Sequence, residues 1–262
     1  LGIQGVRHLL LTTIRFLRLL PAACCLLVAA CCWAAQADQD RLPQGFVYLR
    51  DVAPSIVQDM RYAGPDNFTG RPVPGYGAAE CVLQRGAAEA LARAQEKAKS
   101  LGLSLKVYDC YRPVRAVRAF VAWAAAPEDG RTKHYYPRLR KSQLVPKYIA
   151  SQSQHSTGFA VDVTIVPASA AAGNAEGDDR DCTAPAAGDG SLNMGTTFDC
   201  FDAKANTASP LATPAERGSR GLLLRIVEGA GFKNYAAEWW HFLYPGGGSH
   251  RYDFAIAPRP AP

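Results

Sequence analysis

The chain has 262 residues, is 48% hydrophobic and 20% charged, and carries a net charge of +6. That length suits one large domain or two small ones, and the mixture is that of a globular protein, not of a disordered or fibrous one. After the N-terminus no apolar run approaches the roughly 20 residues of a membrane-crossing helix, and setting aside a three-arginine leader lowers the charge to +3, too little to argue for nucleic acid.

Residues 1–37 read as an export signal. Arg7, Arg15 and Arg18 give a positive start, Leu19 to Ala35 is an apolar run, and Ala35-Gln36-Ala37 is a small-x-small cleavage site before Asp38. A competing reading makes Val28-Ala29-Ala30-Cys31 a lipoprotein box, anchored through Cys31; the polar boundary at Asp38 favours the soluble form. Either way the chain is expected outside the cytoplasm, in the periplasm, as one domain over 38–262.

Residues 38–80, rich in Pro, Gly and Asn, predict short strands and turns. Ala90 to Gly102 predicts an amphipathic helix ending at a glycine, and Leu103 to Tyr111 alternates as a strand. Pro113 can open the next helix, whose apolar face comes from Val114 to Ala124. The most basic stretch, with Arg131, Lys133, Arg138, Arg140, Lys141 and Lys147, reads as a solvated, tyrosine-bearing surface segment. A strand over Phe159 to Val166 follows. Pro167 to Asn193 lacks periodicity and exceeds the roughly 12–15 residues usual for a structureless loop, so it reads as an insertion. Arg220 to Phe232 predicts a helix with a glycine end, and Glu238 to Phe242 begins a final strand. There are no internal repeats. Helices interleaved with strands give an α+β class, a single domain whose central, mostly antiparallel sheet is packed with helices.

Four of the eight cysteines, Cys24, Cys25, Cys31 and Cys32, lie in the leader. The remaining even number in an exported chain points to disulfides. Cys182 and Cys200 flank the insertion and would pair, leaving Cys81 for Cys110. No Cys-x-x-Cys spacing supports a cysteine metal site.

The stretch Ser153 to Asp162, SQHSTGFAVD, carries the chemistry. Asp162 falls inside a strand of apolar composition, and a buried carboxylate needs a partner. His155, seven residues earlier in a polar loop, can be one. A catalytic zinc usually takes three protein ligands and a water. Of the other histidines, His8 is in the leader, while His134 and His250 read as solvent-exposed; His241, among the aromatics of EWWHF, remains as third ligand. Glu238 precedes it by three. Residues i and i+3 of a regular strand face opposite sides, so a shared site requires a bend or helical turn at Trp239-Trp240. Glu238 would then stand beside the metal without ligating it, where a general base belongs. The alternative is that both histidines are hydrogen-bonded structural residues and Asp162 a salt-bridge partner.

SQHSTGFAVD resembles the Ser-x-His-x-x-Gly-x-Ala-x-Asp signature of the zinc D-alanyl-D-alanine dipeptidases, the vancomycin-resistance type, which are related to D-Ala-D-Ala carboxypeptidases and the Hedgehog domain. EWWHF resembles the second signature. DMRYAGPDNFTG (Asp59 to Gly70), YRPVRAV (Tyr111 to Val117), KHYYPRLRKSQL (Lys133 to Leu144) and MGTTFDCF (Met194 to Phe201) match in family order, spanning about residues 45 to 245. The departure is the loop 167–193, longer and richer in Ala and Gly than the family form. The resemblance implies a Hedgehog/DD-peptidase-like fold, one zinc per chain on His155, Asp162 and His241, and Glu238 as base. It implies that Arg112 stabilises the oxyanion, the alternative being a structural salt bridge with Asp109. It also implies that Ser153, Tyr62 and Asp199 hold the substrate's amino end, a turn cap being the alternative for Asp199 and a loop-holding hydroxyl for Ser153. The expected activity is hydrolysis of the dipeptide D-alanyl-D-alanine. A D,D-carboxypeptidase acting on longer wall peptides and a non-catalytic Hedgehog-like zinc module are the rivals.

Overall fold

The computed structural model describes residues 42–170, 180–184 and 189–260. The expected leader, Cys31 included, lies outside them, as do 171–179 and 185–188 of the predicted insertion. From Gln44 onward the chain forms one unit. Strand β1 (Phe46–Tyr48) pairs antiparallel with β3 (Val82–Gln84) in a small ribbon. The main sheet has five strands in the order β2-β4-β5-β7-β6. In it β2 (Val57–Gln58) runs parallel to β4 (Leu103–Asp109), and β4 with β5 (Ala160–Pro167), β5 with β7 (His241–Leu243), and β7 with β6 (Lys233–Asn234) pair antiparallel. The class is α+β with a mostly antiparallel sheet, as the sequence predicts. Among the described residues no helix is long and apolar enough to cross a membrane.

Strands β4 and β5 are buried along nearly their whole length. Helix α2 (Arg85–Lys99) packs on β4 through Ala87, Ala88, Ala90, Leu91, Ala94 and Ala98, small side chains that let the helix lie close. Its Gln95 completes the edge that the two-residue β2 leaves open: Oε1 accepts from the Leu105 amide at 2.8 Å and Nε2 donates to Ser104 Oγ at 3.0 Å. A buried strand edge needs such a partner. Helix α1 (Leu49–Val52) is a single turn against α2. Helix α3 (Val114–Ala125) follows Pro113 as expected, and its Phe120 and Trp123 join Tyr62, Phe68 and Phe201 in an aromatic cluster.

Two helices begin earlier than the sequence reading places them. Helix α2 starts at Arg85, directly off β3, where Gly86 weakens helix propensity and Gln84 provides no side-chain cap. Helix α4 (Pro214–Glu228) starts six residues before Arg220, on a capping box: Thr213 Oγ1 accepts from the Glu216 amide and Glu216 Oε2 from the Thr213 amide. The basic segment is largely the solvated surface expected, with Arg131, Arg138, Arg140 and Lys147 exposed, but its tyrosines and one lysine turn inward. Lys141 is buried with its ammonium 4.2 Å from the Trp123 ring centroid, Arg138 pairs with Asp202, and Tyr135 and Tyr136 are buried. His134 is half-buried against Tyr135, whereas His250 is exposed as expected.

Disulfides join Cys81 to Cys110 and Cys182 to Cys200. The first ties the entrance of β3 to the exit of β4. The second ties Asp199's neighbour to the described part of the insertion, whose end is held further by Asp189. Its carboxylate takes Lys106 at 3.3 Å and the Tyr108 hydroxyl, and its backbone oxygen takes the Lys106 ammonium.

Candidate active site

Strand pairing alone sets much of the site. Lys106 lies opposite Thr164 and Val107 opposite Val163, but the next pair is Asp109 with Asp162. The extra residue, Tyr108, is a bulge, and it turns Asp109 to the sheet face that Asp162 occupies. His241 lies opposite Asp162 on the other side. Cross-strand partners share a face, so Asp109, Asp162 and His241 form a row across three strands.

His155 enters from a 3₁₀ turn, Gln154–Thr157, just before β5. Ser153 caps it, with Oγ accepting from the His155 amide at 3.2 Å, and Gly158 closes it at φ 79°. A Cβ on Gly158 would come within 2.3 Å of the Phe46 ring. His155 Nδ1 lies 2.7 Å from the Cys110 carbonyl, which can only accept, so Nδ1 carries the proton and Nε2 is a bare donor atom. That Nε2 is 2.9 Å from His241 Nδ1 and 3.3 Å from Asp162 Oδ1, and His241 Nδ1 is 3.0 Å from the same oxygen. Burial works to raise the Asp162 pKa, but the two imidazoles outweigh it and hold the carboxyl below its usual range.

Ligand atoms of His155, Asp162 and His241 all lie within 4.8 Å of one another. Two imidazole nitrogens and a carboxylate oxygen form a donor set that zinc takes, and the carbonyl lock on His155 is the support such ligands commonly have. The residues fit the ion. Glu238 stands at the edge of this set, Oε2 4.0 Å from His241 Nδ1. The bend that a shared site requires is present: the Glu238 amide donates to Tyr235 O at 2.9 Å and the His241 amide to Glu238 O at 3.3 Å, so a turn precedes β7. Trp239 and Trp240 are buried within it, Trp239 Nε1 donating to Thr196 Oγ1 at 2.8 Å. Lost solvation raises the Glu238 pKa to about 7 against the opposing pull of His241, while Asp162 adds to the rise. A cation in the triad would bring it down again.

Arg112 Nε and Nη2 both reach Asp109 Oδ2, at 2.9 and 2.8 Å, and Nη2 is 3.5 Å from Asp162 Oδ2. The structural salt bridge weighed for Arg112 therefore exists, and the same side chain lines the pocket over the rings of Tyr62 and Phe120. Tyr62 donates to Asp199 Oδ2 at 2.8 Å, both residues buried. Asp199 has φ 59°, a left-handed turn position. Burial, then the nearby Asp162, push its carboxyl pKa well up against the pull of Tyr62 and Arg112. Such a group gains from an added positive charge.

Tyr62, Arg112, Ser153, His155, Asp162, Asp199, Glu238 and His241 border one pocket of about 240 Å³, which also takes in Phe120, Lys147, Tyr148, Tyr235 and Trp240, while Asp109 lies behind Arg112 and is not part of its lining. Sequence reasoning missed Lys147, Tyr148 and Tyr235 as pocket residues and gave Asp109 only a salt bridge. Nothing in periodicity marks the first three. Asp109's signal was a carboxylate ending an apolar strand three residues before Arg112.

A family model described as D-ala-D-ala dipeptidase matches residues 43–173 and 168–257. The D-alanyl-D-alanine dipeptidase of Enterococcus faecalis is 36% identical over 204 residues, covering 77% of this chain and 92% of that protein. That of Streptomyces coelicolor is 36% identical over 200 residues, 75% of this chain and 90% of that protein. That of Escherichia coli is 30% identical over 207 residues, 78% and 86%. The chain belongs to the D-Ala-D-Ala dipeptidase family and is a metallopeptidase.

Proposed function

We propose that this member of the D-Ala-D-Ala dipeptidase family is an exported zinc enzyme that hydrolyses D-alanyl-D-alanine to two D-alanines. The observation that carries the reading is one small pocket in which a three-ligand donor set, an adjacent carboxylate and a buried carboxylate, Asp199, converge. His155 Nε2, His241 Nδ1 and Asp162 would hold the zinc. Zinc bound there supplies Lewis acidity, polarising the scissile carbonyl and acidifying water. Glu238 takes the water proton and delivers it to the leaving amine. Arg112 uses two N–H groups on Asp109, leaving its remaining donors for the developing oxyanion. Asp199 and Tyr62 receive the substrate ammonium; the aromatic walls exclude water. A buried acceptor for a free ammonium favours a dipeptide over a longer peptide, which has no charge to offer at that position. Glu238 and Arg112 together argue against a non-catalytic zinc module.

Two disulfides support export, since such bonds persist in oxidising compartments. An exported enzyme meets only dipeptide released outside the cytoplasm, so its role is scavenging or recycling of wall fragments and not removal of a cytoplasmic precursor pool. Fractionating cells that express the full chain tests this; activity confined to the cytoplasm with residues 1–37 attached overturns it. The chemistry is tested by a panel of dipeptides of varied stereochemistry and a wall pentapeptide, with zinc measured on the same sample. Glu238→Ala is expected to keep zinc and lose turnover by about 100-fold or more. Zinc lost in step with activity would place Glu238 among the ligands.

A further inference from the structure

Two cations line the pocket, Arg112 and Lys147. The charge of Arg112 is met by Asp109 and Asp162, and its remaining donors are assigned above to the oxyanion. Lys147 is exposed, and among the described residues no carboxylate pairs with it. Its ammonium lies 5.1 Å from the Tyr148 ring centroid. The backbone beneath is held: the Tyr148 and Ile149 amides both donate to Leu144 O, at 2.8 and 3.0 Å, and Leu144 and Ile149 are buried. The Tyr148 ring in turn packs on Phe201, part of the aromatic cluster. A fixed loop and a fixed ring thus carry a flexible cation whose N–H donors remain free for a ligand.

The charges in the pocket have a direction. Asp199 sits at the buried end, 5% exposed, and Lys147 at the solvent-facing end. A free dipeptide is a zwitterion, with an ammonium on one residue and a carboxylate on the other. With its ammonium at Asp199, its carboxylate points back toward the mouth. We propose that Lys147 binds the substrate's C-terminal carboxylate and so determines specificity for a free C-terminus. This rests on the dipeptide reading above. The contact is a charge-assisted hydrogen bond made at an exposed position, so it is screened by salt and modest in size.

The test compares D-Ala-D-Ala with D-alanyl-D-alaninamide, which removes the charge at nearly constant shape, on zinc-loaded wild type, Lys147→Met and Lys147→Arg. Lys147→Met is expected to raise KM for the acid roughly 2- to 5-fold, to leave kcat within about 2-fold, and to leave the amide's KM unchanged. The wild-type preference for the acid is expected to weaken with added salt, and Lys147→Arg to restore it. Equal KM for the acid in wild type and Lys147→Met overturns the inference while leaving the dipeptidase reading intact. A parallel rise for acid and amide overturns it too, because the effect would then not be one of charge. Failure of zinc-loaded wild type to cleave D-Ala-D-Ala overturns the dipeptidase reading, and this inference with it.

Discussion

Asp109 touches no part of a bound dipeptide in the mechanism above, yet its replacement by asparagine is expected to be among the most damaging changes in the pocket. Its carboxylate is wholly buried and accepts from the Tyr76 hydroxyl at 2.6 Å and from two nitrogens of Arg112 at 2.9 and 2.8 Å. It also lies 3.5 Å from His155 Nδ1. Asp109→Asn keeps the shape and removes the charge. Among the described residues the guanidinium then keeps Asp162, at 3.5 Å, as its one remaining ion-pair partner. Breaking a buried ion pair by removing one partner costs about 3–5 kcal/mol, and the 14% exposure of the Arg112 side chain argues for the lower end. A loss of about 3 kcal/mol moves the urea midpoint down by roughly 1.5 M at a slope of about 2 kcal/mol per M. Arg112 drawn further onto Asp162 Oδ2 also pulls on the carboxylate whose Oδ1 faces the two imidazoles, so zinc content should fall with stability. The assay is urea unfolding with zinc and kcat measured on the same preparations, for Asp109→Asn, Arg112→Gln and the double variant. In the double variant no unpaired charge is buried, and most of the lost stability should return while activity stays low. A double variant no more stable than Asp109→Asn would refute the reasoning, because the cost would then not come from the orphaned guanidinium.

Replacing Cys81 and Cys110 together by alanine opens a link across 29 residues, which in the loop-entropy account costs about 3.5 kcal/mol. At about 2–4 °C per kcal/mol for a domain of this size, calorimetry should show the melting point fall by roughly 7–14 °C, and an unchanged melting point would reject that account. Glu216, buried beside Lys204 and held by the Thr213 amide, has a carboxyl pKa below its ordinary value: burial opposes this, but the Thr213 and Lys204 interactions outweigh it. Its contribution is therefore complete above the unfolded carboxyl pKa and lost as pH falls through the lower folded value, so Glu216→Gln should be less stable than wild type at pH 7, with a gap that closes in acid; a gap independent of pH would show that charge is not involved.

The cluster of His155, Asp162 and His241 was legible because its chemistry is rare in context. A carboxylate in the apolar run of β5 must be paired, and a short process of exclusion led from Asp162 to His155 and His241. The long helices and β4 and β5 were legible from their periods. Boundaries failed where a tertiary contact did the work of a local signal, as at Arg85, where β3 feeds straight into α2. At Thr213 the signal was present, a threonine and proline followed by Glu216, and was passed over. In the basic stretch charge is a fair sign of solvent at every named cation but one. Lys141 buries its stem and places its ammonium on Trp123, an arrangement that depends on where α3 ends and not on anything within the segment.

What could not be read is how certain side chains in and beside the site come to share one side of the chain. Asp109 and Lys106 are an odd number of positions apart, and Glu238 and His241 are too, so simple alternation puts the members of each pair on opposite sides. Both cases are resolved by a local break in strand geometry: the extra residue at Tyr108 and the turn at Trp239-Trp240. Each break needs support from elsewhere in the chain. Tyr108 is stacked on Phe198 with its hydroxyl on Asp189 and Ser191, and Trp239 is fixed by Thr196 and by its amide on Ala205 O. All of these supports come from residues 189–205, the segment that also carries Asp199. The stretch after β5 is thus more than a connection. It holds both irregularities in place and supplies the carboxylate proposed to take the substrate ammonium, so the row of Asp109, Asp162 and His241 and the buried Asp199 are positioned by the same length of chain.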